Sequence, residues 1–115
     1  KTGASFFYIP ACAHVPDWLK EKLNNTNLLF FDGTLWTDEE MIEQKVGIKT
    51  GKRMGHISMS GKDGSLNIFK DININRKIFI HINTTNPALL DNSSERKILE
   101  DAGWEVAYDT MEIKI

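Results

Sequence analysis

His81 follows the apolar stretch Lys77-Ile78-Phe79-Ile80 and precedes Asn83-Thr84-Thr85-Asn86-Pro87, a turn-forming run whose side chains can fix an imidazole or meet a ligand. Two readings of it stand side by side. One is a core histidine whose ring nitrogens bond to neighbouring backbone, the commoner fate of a lone histidine. The other is a metal ligand or acid/base group presented from a strand end, with Asn83 or Asn86 orienting it. Asp32 poses the same choice: Asp32-Gly33-Thr34 is an ordinary turn, yet a carboxylate directly after Leu28-Leu29-Phe30-Phe31 is partly desolvated and needs a donor, a cation or a metal. His56 sits between Gly55 and a helix start, and Lys52 with Arg53 reads either as a solvated face or as an anion-binding pair beside a proton relay through Asp32 and His56.

The spacing does not complete any of these sites. The sequence has no His-x-His pair, no His-x-x-x-His on a helix, no glycine-rich phosphate loop and no nucleophile elbow around a serine. The single cysteine, Cys12, makes neither an internal disulfide nor a Cys-x-x-Cys pair, which suits a reducing compartment. The formal net charge is −2, with 14 basic and 16 acidic residues interspersed, so no basic block answers a run of phosphates and nucleic acid is not an expected partner. No apolar run is long enough to insert in a bilayer, and a cytoplasmic location is expected. Three Asn-x-Ser/Thr triplets, at Asn24, Asn83 and Asn92, carry no weight in an asparagine-rich chain without an export signal.

The elements that must hold these residues follow from hydrophobic runs and their punctuation. Residues 5–9 read as a strand ended by Pro10, and Pro16 suits the first turn of a helix that turns Trp18, Leu19 and Leu23 inward. Leu28-Leu29-Phe30-Phe31 has the pattern of a strand covered on both faces. Thr37-Asp38-Glu39-Glu40 is a capping box, predicting a helix through Met41 and Ile42. Residues 46–53 read as a loop. Ser58 or Ser60 is expected to cap a helix burying Leu66, Ile68 and Phe69, despite Gly64 within it. Residues 77–82 form a third strand, Ser93 or Ser94 caps a helix ended by Gly103, and 104–108 and 112–115 are expected to close the fold as strands. Alternating strands and helices with no repeat or linker predict one layered α/β unit, with Asp32, His56 and His81 at element ends.

In order along the chain, Tyr8-Ile9-Pro10-Ala11-Cys12-Ala13, Phe31-Asp32-Gly33-Thr34-Leu35-Trp36, Lys49-Thr50-Gly51-Lys52-Arg53-Met54-Gly55-His56, His81-Ile82-Asn83-Thr84-Thr85-Asn86-Pro87 and the closing Ala102-Gly103-Trp104-Glu105-Val106-Ala107-Tyr108-Asp109 resemble the pyrroloquinoline quinone (PQQ) biosynthesis protein B family. The resemblance implies an αββα metallo-β-lactamase-like sandwich, of which residues 1–115 would be the carboxyl-terminal part of a single domain, without its amino-terminal half. It implies that His81 is the last metal-binding histidine of that fold and an active-site residue, and that His56 helps move protons with Asp32 as its acidic partner. Ala11 or Cys12 falls where hydrolytic members keep a metal-bridging aspartate, and neither replaces it. The sequence also opens without an initiator Met, and its start reads as an interior point of a longer chain.

The function implied is in making PQQ from a peptide-derived Glu-Tyr precursor. The favoured form is a metal-dependent oxygenase, with iron or else zinc at His81, that hydroxylates the tyrosine ring. Asp32 and His56 would then position the phenol or relay protons, while Arg53, Asn83 and Asn86 hold the precursor's carboxylates. The alternatives are a carrier that helps move PQQ or its precursor to the periplasm, and a divergent metal-dependent hydrolase. Taken alone, the 115 residues are expected to be inactive and poorly stable, because Phe6, Tyr8, Leu28, Phe30, Ile78 and Ile80 would line an uncovered sheet face.

Overall fold

Short runs rich in aromatic and branched residues become the strands of this chain, and the polar, proline- and glycine-marked stretches between them become its crossovers. The computed structural model describes residues 5–45, 47 and 49–108. The elements run β1 (Phe6–Ile9), α1 (Asp17–Leu23), β2 (Thr26–Asp32), α2 (Glu40–Glu43), a 3-10 turn at Lys52–Met54, α3 (Ser65–Ile68) continuing into a 3-10 turn at Phe69–Asp71, β3 (Ile74–Ile80), a 3-10 turn at Pro87–Leu89, α4 (Ser94–Asp101) and β4 (Trp104–Val106). The four strands stand in chain order, and each neighbouring pair is parallel. Parallel neighbours cannot be joined by a tight hairpin, so a helical segment fills every connection.

Register sorts the side chains. Phe7, Leu29, Lys77 and Trp104 form one row and Ile9, Phe31, Phe79 and Val106 the next, all on one face; Tyr8, Phe30, Ile78 and Glu105 form a row on the other. On the first face Leu29, Phe31 and Phe79 are fully buried, together with Leu23 of α1, Phe69 and Leu99 of α4. Phe79 stacks on Trp104 with ring centroids 3.8 Å apart, and Phe31 meets Phe69 edge-on at 4.9 Å. Each such ring contributes roughly 1.5–3 kcal/mol relative to an exposed one.

The opposite face is covered unevenly. Phe6 and Tyr8 are 56% and 58% exposed, each with its ring turned to Phe30. Leu28, Ile78 and Ile80 on the same face are buried, so the expected open row is confined to the β1 side. Arg76 and Glu105, register neighbours of Leu28 and Ile78, reach across that face in a two-pronged pair at 2.7 and 2.8 Å.

Several expected boundaries move. Strand β3 begins at Ile74, where it pairs with Thr26, and ends at Ile80 because His81 turns into the left-handed region at φ 60°. Trp18 is 66% exposed: on a seven-residue helix Leu19 and Leu23 share the buried stripe and Trp18 lies beside it. The hydroxyls of Ser58 and Ser60 bond the carbonyls of Ser60 and Trp36 rather than capping a helix, and α3 starts only at Ser65. Ser93 does cap α4, accepting from the Arg96 N–H at 3.0 Å, and Gly103 leaves that helix with φ 88°. The closing strand stops at Val106, and the expected strand at 112–115 lies outside the described residues. No helix among the described residues is long and apolar enough to cross a membrane.

Candidate functional site

The carboxyl ends of β2 and β3 lie side by side, with Asp32 opposite Ile80, so the loops leaving the two strands share one edge of the sheet. Gly33 makes their close approach possible. A Cβ there would stand 2.7 Å from Ile82 Cδ1 and 2.8 Å from Phe79 Cβ, while the Gly33 N–H donates to the Ile80 carbonyl at 2.8 Å.

Asp32 has no solvent exposure, and both its oxygens are engaged. Oδ1 accepts from the Thr34 N–H at 3.0 Å and the Thr34 hydroxyl at 2.7 Å. Oδ2 accepts from the Cys12 N–H at 3.0 Å and faces His56 Nδ1 at 2.9 Å. An ionised carboxylate only accepts, so the proton between them belongs to His56 Nδ1. Thr34 Oγ1 lies 3.1 Å from the same nitrogen, and its own hydrogen is given to Asp32, so it too acts there as an acceptor. The imidazole is thereby fixed with a proton on Nδ1, and Nε2 has no hydrogen-bond partner among the described residues.

The chain brings His56 to Asp32 through backbone bonds on either side of it. The His56 N–H donates to the Gly51 carbonyl at 2.8 Å, the Ile57 N–H to the Cys12 carbonyl, and the turn between is closed by Gly55 at φ 89°. Cys12 thus lies next to the pair. Burial pushes its thiol above the ordinary range, its bond to the His14 carbonyl opposes this, and the Asp32 carboxylate adds to the rise.

The other sequence-derived candidates are placed as follows. His81 is exposed and left-handed, and its ring makes no hydrogen bond among the described residues. A non-glycine residue in that region is held there at a cost of about 1–2 kcal/mol, so the surrounding loop over-determines the position of His81. Arg53 is exposed. The Asn83 amide donates to Thr85 Oγ1 at 2.8 Å, and Asn86 is 1% exposed, donating to the Gly33 carbonyl at 3.1 Å and accepting from the Ala88 N–H at 2.9 Å. Asn86 here stitches the two loops together.

A residue that sequence reasoning took for a simple helix-start signal is Glu40. The capping box is half formed: the Glu40 carboxylate reaches back to the Thr37 N–H at 3.0 Å, but Thr37 Oγ1 caps nothing among the described residues. Oε1 also accepts from the Trp36 N–H at 2.7 Å, and Oε2 accepts from the Thr85 hydroxyl at 2.6 Å. The side chain is 4% exposed.

A metal can be weighed against these donors. Asp32 spends its oxygens on protein donors, and no three His, Cys, Asp or Glu side chains converge among the described residues. His81 offers one imidazole and His56 one free nitrogen, short of the three or four protein ligands of a typical centre. The described residues do not by themselves fit a complete coordination shell.

Residues 1–82 match the family model described as the β-lactamase superfamily domain. The chain belongs to the β-lactamase superfamily. Within this superfamily, the chain is 53% identical over 112 residues to the coenzyme PQQ synthesis protein B of Bradyrhizobium diazoefficiens, a match covering 97% of this chain and 36% of that protein. It is 50% identical over 107 residues to the namesake from Gluconacetobacter diazotrophicus, covering 93% and 35%. A crystal structure of Zn2+-bound PqqB from Methylobacterium extorquens superposes with a TM-score of 0.96 at 46% identity, covering 99% of this chain and 41% of that one. The resemblance to the PQQ biosynthesis protein B family therefore holds along the chain, and the superfamily fold accounts for the sheet seen here. The chain spans a little over a third of the length of these curated relatives.

Proposed function

We propose that the protein serves in the synthesis of PQQ, as a metal-dependent oxygenase that hydroxylates the tyrosine ring of the peptide-derived precursor. The observation that carries the reading is the buried Asp32 carboxylate holding a proton on His56 Nδ1. The free Nε2 can take the proton of a phenol hydroxyl and later return it, while Asp32, which touches only His56 and loop donors, acts as a positioning residue. Exclusion of water from Asp32 strengthens its bond to the imidazole relative to the same pair in solvent. Arg53 on the neighbouring turn supplies an exposed cation for a carboxylate of the Glu-Tyr unit. His81 would give one imidazole donor to a metal, iron in the first instance, and a bound metal would supply oxygen activation.

The test is turnover of a Glu-Tyr-containing precursor by the protein at the full length of its reading frame. His56→Gln is expected to lower the hydroxylation rate by about 10²–10⁴-fold, with the protein still folded. Unchanged hydroxylation would remove His56 from the reaction. His81→Ala is expected to lower the iron or zinc retained after dialysis, and unchanged metal content would remove His81 from the centre. Tight binding of the quinone without oxygen consumption would replace the oxygenase by a carrier.

A further inference from the structure

Glu40 is a buried carboxylate that has no cation beside it among the described residues; its partners are two backbone N–H groups and one hydroxyl. Holding a charge out of water this way is costly unless the donors are well placed, and the helix it begins has only four residues. A start signal for so short a helix does not need burial. What burial achieves is contact with Thr85, which lies on the loop leaving β3.

From Thr85 the bonds run on without a gap. Thr85 Oγ1 gives its hydrogen to Glu40 and accepts from the Asn83 side chain at 2.8 Å. The Asn83 backbone N–H donates to the Thr34 carbonyl at 3.0 Å. The Thr34 hydroxyl donates to Asp32 and lies against His56 Nδ1. Gln44, which caps the carboxyl end of α2, holds the Thr85 carbonyl at 2.9 Å, so Thr85 is gripped at both side chain and backbone. The same loop begins at His81, whose left-handed backbone needs its neighbours fixed.

We infer that Glu40 is a positioning residue, which through Thr85 and Asn83 fixes Thr34 against the Asp32–His56 pair and ties the β2 loop to the loop that starts at His81. The inference rests on the relay reading of His56, but the bond network can be tested separately from the chemistry. Thr85→Val removes the hydroxyl link with little change in volume and leaves the two N–H bonds of Glu40 in place; Thr85→Ser restores the hydroxyl. Glu40→Gln keeps an oxygen for the Trp36 and Thr37 N–H groups and turns a donor toward Thr85.

The readout is the His56 Nδ1–H proton resonance and the exchange rate of the Asn83 amide, in the full-length protein. Thr85→Val is expected to speed exchange of the two protons by at least about tenfold, in line with loss of one buried hydrogen bond, while Thr85→Ser, and Glu40→Gln with its bond to the Thr85 hydroxyl reversed, behave as the parent. Hydroxylation by the Thr85→Val protein should then fall in kcat more than in KM. A folded Thr85→Val protein whose His56 and Asn83 protons exchange as in the parent would overturn the inference, as would failure of Thr85→Ser to restore them. If His56→Gln leaves turnover unchanged, the relay reading fails, and the role of Glu40 is still decided by the two proton signals.

Discussion

The two faces of the sheet are built from the same four strands and behave differently. On one, Phe31, Phe79 and Leu29 have no exposure and interlock with Phe69, Leu99 and Trp104. On the other, Phe6 and Tyr8 are more than half exposed, and β2 ends in Asp32, fully buried but bonded entirely to polar partners. Parallel sheets are ordinarily covered on both sides. The covered face does the work of stability here, whereas the candidate chemistry stands at the carboxyl edge of the less covered one.

The largest expected effect breaks the covered face. Phe79→Ala should cost about 3–5 kcal/mol in denaturant unfolding, against no more than about 1.5 kcal/mol for Phe6→Ala, whose ring is more than half exposed and meets Phe30 edge-on. Equal losses would dissolve the contrast between the faces. Next in size is association: the 115-residue chain by itself should self-associate in sedimentation velocity, and Phe6→Lys with Tyr8→Glu should reduce this. A monodisperse, cooperatively melting preparation of the parent chain would show that the aromatic row needs no cover.

A smaller effect of opposite sign belongs to the site edge. His81→Gly should raise thermal stability by up to about 1 kcal/mol, because glycine adopts φ 60° freely, while Ile78→Gly, within β3 itself, should lower it. The smallest concerns the Arg76–Glu105 pair. Its hydrogen bonds hold the Glu105 carboxyl below its ordinary value and Arg76 above its own. A depressed carboxyl pKa contributes stability above the unfolded value, and that contribution is lost as pH falls through the folded one. Acid titration of the parent and of Glu105→Gln should therefore converge below the ordinary glutamate range and separate slightly above it, with the parent more stable.

What the sequence disclosed and what it withheld divide along the same physical line. The apolar run at Leu28 to Phe31 and the stop at Asp32 were legible because burial on both sides leaves a continuous hydrophobic signature. Asp32 and His56 could be named as partners through the family segments, and their 2.9 Å approach agrees. The start of β3 was hidden because Ile74, Asn75 and Arg76 sit in an asparagine-rich stretch that reads as a turn, and only pairing with β2 makes it a strand. Its end was hidden by a backbone angle at His81 that no side-chain pattern announces. Glu40 shows the limit most clearly: its bond to Thr37 is local and was written in the capping box, whereas its bond to Thr85 joins loops far apart in the chain and appears only once β2 and β3 are neighbours.

The grip of the β3 loop on the β2 loop also sets an order of events for a growing chain. The Gly33 N–H and carbonyl and the Thr34 carbonyl are all held by residues 80–86, which are synthesised long after Asp32. Strands β1 and β2 can pair as soon as both have emerged, but the turn after Asp32 lacks its bonds to the β3 loop until the third strand follows. A chain stopped just short of residue 80 would keep the bonds of Asp32 to Thr34, Cys12 and His56 but lack the three that fasten the β2 turn to the β3 loop.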